Sequence, residues 1–343
     1  MNKKKSSALV AFFATAVALC VTVEGASEIG GAFPILMTPY DESGAVDYET
    51  LARETDFLVA CGVNGVIWPA AIDALRHLDP DEERKGLEVI ARTLDGKGVW
   101  FTPCCPGTNT ADTIRRVRCA EAIAARHPGL PMAMLVRMAD DGRGDADYAR
   151  HYEAVATEAH HPVIIQTFAP KAPLPSMPLL IDLARRHPDV YGWYKVEGCD
   201  KGIADCIAAL VAAKPVVKNV LNGWGGRDLY YHFRRFGSRG VITQRPSYAD
   251  LIVKTYRALE RDADSDEARD LFQKILFLRN LDDVLPEDEM RGWHLYALKR
   301  RGVFRNLLSR TGKRDGRWQV VETRLTDGQR AEADYRMDVC GLK

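Results

Sequence analysis

Residues 31–62 read GAFPILMTPYDESGAVDYETLARETDFLVACG and contain one complete strand–helix unit. The first eight of them form an apolar run that predicts a buried strand. Asp47 suits the cap of the following helix, in which Leu51 and Leu58 share a face. Gly62 lies just beyond that helix, where a left-handed residue is favoured. This unit of buried strand and amphipathic helix is the repeating element of a parallel α/β sheet.

The same alternation recurs through residues 30–262. Eight regular units in about 230 residues favour a (β/α)₈ barrel of the TIM type, because an open, doubly wound sheet rarely carries so many. An open α/β sheet remains the alternative. The predicted strands are Gly31–Thr38, Gly65–Pro69, Gly98–Pro103, Pro131–Met138, Pro162–Phe168, Val190–Glu197, Val216–Leu221 and Gly240–Gln244.

After the eighth predicted strand the sequence shows helical periodicity alone. We therefore predict a C-terminal helical extension over residues 263–343, following the last helix of the barrel. The predicted segments are helices at Ser247–Arg261, Asp266–Asn280 and Pro286–Arg301, a loop at Asp315–Arg324 and a last helix at Thr326–Met337.

The composition excludes several classes of protein. The 343 residues are 46% hydrophobic and 27% charged, with 47 basic and 47 acidic side chains. These values exclude bulk disorder, and no net field draws the chain to nucleic acid. The balanced charge makes a small molecule the expected partner. The eight cysteines lack the paired spacing of a zinc site, so we predict no metal. Residues 223–226, GWGG, lack the features of a nucleotide-binding fingerprint, so we predict no cofactor. The vicinal Cys104 and Cys105 are predicted to be buried and are weaker catalytic candidates.

Residues 1–25 do not have a globular pattern. Three lysines at positions 3–5 precede the uncharged run Ala8–Val23, and small residues follow up to Gly25. This pattern predicts a signal peptide or a membrane anchor, and hence a periplasmic or secreted protein. If the start is misassigned, the protein is cytoplasmic. The odd number of cysteines left after cleavage fits a reducing compartment at least as well.

Residues 191–198 read YGWYKVEG and form the sixth predicted strand. Period two places Tyr191, Trp193, Lys195 and Glu197 on one face. If that face points into the barrel, Lys195 loses hydration, which favours the neutral amine that attacks a ketone to form a Schiff base. The alternative is an ordinary ion pair between Lys195 and Glu197.

The order of several motifs resembles the dihydrodipicolinate synthase and N-acetylneuraminate lyase family. The resemblance runs from Gly30 to the C-terminus and implies a TIM barrel that is commonly a homo-oligomer, often a tetramer. It also implies class I chemistry, in which Lys195 condenses with a 2-oxo acid, usually pyruvate, and pocket positions at Gly223 and Ile242. The matching segments are Gly31–Tyr40, Gly44–Asp47, Gly62–Val66, Leu78–Glu83, Thr108–Ile114, Tyr191–Lys195 and Gly240–Ile242.

The chain departs from this family where the keto acid is held. The family's Gly-Thr-Thr-Gly-Glu loop aligns with residues 70–74, AAIDA, so Ala70 and Ala71 occupy the substrate-binding positions without hydroxyl groups. Asp73 is expected to repel a carboxylate. The proton-relaying tyrosine of strand five becomes Thr167, which takes the catalytic position.

Two further family residues are also replaced. The tyrosine that a neighbouring subunit lends after strand four is absent from residues 137–139, RMA, and the arginine after strand five falls at Ala172. Arg137 and Arg245, at strand ends, are candidates to bind the substrate carboxylate instead. Glu197 is the candidate for proton transfer, because a carboxyl group beside an apolar wall can act near neutral pH.

Neutral strand-end side chains suit a polyhydroxylated ligand, and two tryptophans, Trp68 and Trp224, either stack on a sugar or pack in the core. We therefore expect a Schiff-base-forming lyase, an aldolase or dehydratase, that acts on a sugar-derived 2-oxo acid. The alternative is a catalytically silent homologue that binds a sugar acid as a sensor or transport partner. The neutral candidates are Gln166, Thr167, Asn219, Asn222, Thr243 and Gln244.

Overall fold

A computed structural model describes residues 28–168, 173–198 and 202–343. The predicted signal or anchor, residues 1–25, lies outside these residues, as does Ala172. Eight parallel strands of four residues each form a curled sheet, which confirms the predicted barrel. The strands are β1 (Gly31–Pro34), β2 (Gly65–Trp68), β3 (Trp100–Pro103), β4 (Met134–Arg137), β5 (Val163–Gln166), β6 (Trp193–Val196), β7 (Asn219–Asn222) and β8 (Gly240–Thr243).

The strands follow one another around a closed ring. Strand β1 pairs with β8, and the order continues through β7, β6 and β5 to β4, while β2 pairs with β3. Parallel bridges complete the ring, since Ile35 pairs with Ile67 and Cys104 pairs with Leu135. The carboxyl ends of all eight strands therefore meet at one face, where barrels place their ligands.

Helices surround the ring and extend beyond it. Asp47 caps the first helix by accepting a hydrogen bond from the Thr50 amide, as its position predicts. Thr326 caps the last helix in the same way. The barrel helices are α1 (Tyr48–Ala60), α2 (Pro80–Leu94), α3 (Thr110–Arg126), α4 (Asp145–Glu158), α5 (Met177–Arg186), α6 (Ile203–Ala212), α7 (Leu229–Phe236) and α8 (Ala249–Arg261), and those of the extension are α9 (Asp266–Val284), α10 (Glu287–Arg300) and α11 (Asp327–Cys340).

The apolar side chains divide into an inner and an outer layer. Alternate strand residues such as Phe33, Leu135 and Ile242 fill the interior of the barrel. Trp68 faces outward, where its ring meets Gly86 of α2 and its indole nitrogen donates to the Thr38 hydroxyl at 2.9 Å. Trp68 is therefore a core residue and does not stack on a ligand. No helix of the described segments is long and apolar enough to cross a membrane.

The predicted loop at Asp315–Arg324 is wrong, because the extension contains a β-hairpin. Strands β9 (Leu308–Arg314) and β10 (Arg317–Glu322) pair in antiparallel fashion around Asp315 and Gly316, which both have positive φ. An Asp-Gly pair with this geometry is a strong hairpin signal. The hairpin strands are largely polar and exposed, so the hydrophobic alternation used to predict strands is weak there.

One buried arginine fastens this hairpin to the barrel. Arg310 pairs with Glu82 of α2 at 2.6 Å and donates to the carbonyl oxygens of Gly44 and His77. Its guanidinium lies between the rings of Tyr40 and Trp318. The hairpin is thus held by these long-range contacts and by Leu308 and Val320, which pack against a small buried apolar cluster.

A buried charged cluster joins the extension to the end of β8. Asp282 of α9 pairs with Arg245, with Arg279 at 3.2 Å and with His294 at 2.9 Å, and it accepts a hydrogen bond from Trp293. The Nε of Arg245 is therefore engaged by Asp282, and its Nη1 donates to the carbonyl of Gln244 at 3.2 Å. The prediction that Arg245 binds the substrate carboxylate is wrong, because its partner comes from a helix 37 residues later in the chain.

We expect Asp282→Asn to lower the free energy of unfolding by about 3 kcal/mol, because it leaves the buried guanidinium of Arg245 without its counter-charge. Chemical denaturation measures this change. Asp283→Asn is the matched control, because Asp283 touches Arg279 but is half exposed. An equal loss in both variants would contradict the prediction.

The same cluster predicts a pH dependence. Burial alone would raise the pKa of Asp282, but its contacts with His294 and Arg245 hold that pKa well below its usual value. Because the folded pKa lies below the unfolded one, this contribution to stability is complete above about pH 4 and is lost as the pH falls further. Denaturation between about pH 5 and pH 2 should show the loss in the wild type and a weaker one in Asp282→Asn.

Candidate active site

A cavity of about 230 Å³ opens at the carboxyl ends of the barrel strands. Each strand, or the loop that follows it, contributes at least one side chain. The lining combines apolar walls with three cationic groups, one carboxylate and two neutral amides. The residues are Ile35, Ala70, Ala71, Ile72, Arg76, Cys104, Leu135, Arg137, Gln166, Phe168, Lys195, Glu197, Trp224 and Gln244.

Lys195 projects from β6 into this cavity, and its side chain is only 5% exposed. Trp193 also faces the barrel interior, as period two predicts. Tyr191 does not share this face, because Gly192 has a φ of 136° and reverses the alternation. The Tyr191 hydroxyl instead donates to the carbonyl of Tyr152 in the outer layer.

Glu197 follows β6 and lies beside the lysine. Its Oε1 is 3.2 Å from Lys195 Nζ, and its Oε2 accepts a hydrogen bond from Gln166 at 2.5 Å. Its backbone is held as well, since the amide donates to the Thr167 hydroxyl and the carbonyl accepts from the Trp224 indole at 2.9 Å. The carboxylate is therefore fixed at hydrogen-bond distance from the amine, as acid–base catalysis requires.

Three predicted site residues lie near the cavity without lining it. The Thr167 hydroxyl accepts from the amides of Glu197 and Gly198, so it orders the end of β6 and does not reach a ligand. The catalytic assignment of Thr167 is corrected to a positioning role. Ile242 packs within the barrel interior, below the cavity. Gly223 lies behind Glu197.

Gly223 leaves the space that Glu197 occupies, because a Cβ atom there would lie 2.3 Å from Glu197 Cγ. The same Cβ would lie 3.0 Å from the carbonyl oxygen of Val196. We expect Gly223→Ala to displace the carboxylate and to lower the rate of proton transfer about tenfold, since small misplacements are costly. The measurement is deuterium exchange at carbon 3 of a bound 2-oxo acid. Gly198→Ala, whose Cβ would meet only the flexible Leu174 side chain closely, is the control.

The loop after β2 presents backbone rather than hydroxyl groups. Ala70, Ala71 and Ile72 line the cavity, and the amides of Ala71 and Ile72 have no hydrogen-bond partner in the described parts of the chain. Asp73 turns away, where it accepts from the amide and hydroxyl of Thr38 and pairs with Arg291. The expected repulsion by Asp73 is wrong, because its charge is compensated outside the cavity.

Two arginines lie in the cavity wall. Arg137, at the end of β4, is only 6% exposed, and one of its terminal nitrogens lies 2.7 Å from Asp140. Its Nε has no hydrogen-bond partner within the described residues. Arg76 was not a candidate from the sequence, because it lies on the turn Leu75–His77, whose path no periodicity predicts. Its basic side chain in the loop after a barrel strand was the available signal.

Some of the predicted neutral side chains line the cavity and others lie elsewhere in the barrel. Gln166 and Gln244 line the cavity. Asn219 bonds the carbonyls of Ile29 and Arg239 at the opposite end of the barrel, and Asn222 pairs with His232. Thr243 is buried and does not line the cavity, and Trp224 does line it.

Cys104 reaches the cavity, whereas Cys105 packs in the outer layer. Burial raises the pKa of the Cys104 thiol to about 11, although the charges of Lys195 and Arg137 oppose this. The thiol is therefore protonated near neutral pH and is a poor nucleophile. In the described residues no group of three or more histidine, cysteine or acidic side chains is arranged to hold a metal ion.

Comparisons with known proteins agree with this geometry, although no protein-family model matches the chain. The 4-hydroxy-tetrahydrodipicolinate synthase of Xanthomonas axonopodis pv. citri is 25% identical over 243 residues, 70% of this chain and 76% of that protein. The Pseudomonas aeruginosa protein of the same name is 24% identical over 249 residues, 72% of this chain and 81% of that one.

Solved structures share the fold. YagE, an Escherichia coli K12 prophage protein of the dihydrodipicolinic acid synthase family in complex with pyruvate, matches with a TM-score of 0.73 and 19% identity over 92% of this chain and all of that one. A dihydrodipicolinate synthase crystal structure matches with a TM-score of 0.72 and 17% identity over the same shares. The low-identity curated relatives and this shared barrel support the assignment of the chain as a divergent member of the dihydrodipicolinate synthase family.

Proposed function

We propose that the protein is a Schiff-base-forming lyase, an aldolase or dehydratase, that acts on a 2-oxo acid through Lys195. The observation that carries the proposal is a buried amine that enters the cavity beside a fixed carboxylate. The curated relatives are synthases of the same family, and one structural neighbour was solved with pyruvate. The chain retains the lysine while most of the other family site residues are replaced.

The reaction follows from this pair of groups. The neutral amine attacks the ketone carbon, and loss of water gives the protonated Schiff base. That cation accepts electrons when a proton leaves carbon 3 or when a carbon–carbon or carbon–oxygen bond breaks. Glu197, with Oε1 at 3.2 Å from the amine, is positioned to accept and return the proton.

The substrate carboxylate requires hydrogen-bond donors, and the loop at residues 70–74 lacks the two threonine hydroxyl groups that the family has there. The amides of Ala71 and Ile72 are two such donors, because both residues line the cavity and neither amide is bonded within the described protein. Backbone amides hold carboxylates by charge-assisted hydrogen bonds. Gln166 and Gln244 supply neutral groups, and Trp224 supplies a ring, for a hydroxylated chain.

We expect a hydroxylated 2-oxo acid longer than pyruvate to be the preferred substrate. The two lost hydroxyl donors weaken binding of the short acid, and the neutral cavity groups reward a chain that reaches them. In a competition for borohydride-trapped adduct, a 2-oxo-3-deoxy sugar acid should react at roughly tenfold lower concentration than pyruvate. Tighter binding of pyruvate than of every longer acid would contradict this preference.

The same experiment separates the enzyme from a silent homologue. A sensor or transport partner binds the sugar acid but forms no adduct on reduction. We further propose a homo-oligomer and export directed by residues 1–25. Light scattering of the purified protein and fractionation of cells that express the full chain test these two proposals.

A further inference from the structure

The two arginines of the cavity have more donor capacity than the described protein uses. Arg76 lies exposed at the mouth and has no hydrogen bond or ion pair to any described residue. Arg137 is almost fully buried, and although its Nη1 lies 2.7 Å from Asp140, neither Nη1 nor Nε makes a hydrogen bond within the described residues. A buried guanidinium donor without a partner is costly, so its acceptor is expected to arrive with the ligand.

One carboxylate does not use all of these donors. The proposed function assigns the carboxylate beside the ketone to the amides of Ala71 and Ile72, and its two oxygens offer roughly four acceptor positions. The guanidinium groups then remain, and their planar fork matches the geometry of a second carboxylate. Asp140 holds one edge of Arg137 and leaves the Nε edge for the ligand.

The placement of these groups suits a ligand longer than pyruvate. Lys195 comes from β6, Arg137 from β4 and Arg76 from the loop after β2, so the three cations approach the cavity from different parts of the ring. The cavity of about 230 Å³ corresponds to roughly eight water molecules at ~30 Å³ each. A three-carbon acid held at Lys195 leaves part of this space, and both arginines, without a partner.

We infer that the substrate is a 2-oxo diacid, whose second carboxylate, remote from the ketone, is bound by Arg137 with Arg76 at the mouth. This assignment rests on the proposed function and names its substrate class. Arg137, buried and already oriented by Asp140, gives the stronger contact. Arg76 is solvated, so its contribution is smaller and sensitive to salt.

A matched pair of ligands tests the assignment. 2-Oxoglutarate and 2-oxopentanoate have the same chain length and differ only in a terminal carboxylate or methyl group. The readout is the concentration that gives half the maximal rate of borohydride-trapped adduct. We expect this concentration to be at least tenfold lower for 2-oxoglutarate, the range of one charge-assisted contact.

Variants assign the preference to the arginines. The preference is the half-maximal concentration of 2-oxopentanoate divided by that of 2-oxoglutarate. Arg137→Gln should lower this ratio about tenfold, and Arg76→Gln should lower it about threefold. Arg84→Gln is the control, because Arg84 is an exposed arginine on α2 that does not line the cavity. If Arg137→Gln does not fold, Arg137→Lys, which keeps the charge but loses the fork, must still lower the ratio.

The outcomes are separable. Equal concentrations for the two acids, or a ratio that both arginine variants retain, overturn the diacid assignment, while adduct formation itself leaves the lysine mechanism standing. Absence of an adduct with every 2-oxo acid overturns the proposed function and this inference together.

Discussion

Replacement of Lys195 by alanine is expected to abolish adduct formation with every 2-oxo acid that labels the wild type. The reason is chemical, because this amine enters the cavity as the proposed nucleophile and its loss removes the bond that reduction makes permanent. Intact mass measurement after borohydride treatment shows the wild-type adduct as a discrete increase that is absent in the variant.

A surface lysine provides the control for this experiment. Lys97 pairs with Asp56 on the outside of the barrel, so Lys97→Ala should label as the wild type does. An adduct that survives Lys195→Ala would show that another lysine reacts and would remove the proposed mechanism.

Glu197→Gln is expected to slow proton transfer by about 10² or more while adduct formation stays measurable, the range typical of the loss of a general acid or base. Glutamine keeps the size of the side chain and still fits the space beside Gly223. Deuterium exchange at carbon 3 of a bound 2-oxo acid, followed by NMR, measures the step without knowledge of the natural substrate.

A matched variant distinguishes this role from simple ion pairing. Gln166→Leu removes the hydrogen bond to Glu197 but leaves the carboxylate beside the lysine, so exchange should fall less than in Glu197→Gln. Unchanged exchange in Glu197→Gln would reduce Glu197 to an ion-pair partner of Lys195.

The features that could be predicted from the sequence are those that depend on the local periodicity of apolar residues. The barrel, its strand order and the inward direction of Lys195 follow from repeated apolar runs and from period two, and the structure has them. The same rule fails at Tyr191, because one glycine with positive φ reverses the faces. Strand cores were therefore predictable, whereas their first residues were not.

The candidate site was predicted only in part, because partners far along the chain decide which polar groups reach the cavity. Arg245 and Arg137 both lie near the end of a strand, yet Asp282 of α9 withdraws Arg245, whereas Asp140 leaves part of Arg137 unpaired. Asp73 is likewise held away from the cavity by its ion pair with Arg291. Arg76 enters through a turn whose path depends on tertiary packing.

The contact between Arg291 and Asp73 joins the loop after β2, which lines the cavity, to a region that is distant in the chain. Arg291 belongs to α10, and it also binds the Thr38 carbonyl after β1 and the Ser309 hydroxyl of the hairpin. The loop that replaces the family's hydroxyl-bearing segment is thus braced from the C-terminal extension. A chimera that joins this barrel to the extension of a relative would lose that brace and reshape the substrate pocket, although no residue of the pocket wall had been exchanged.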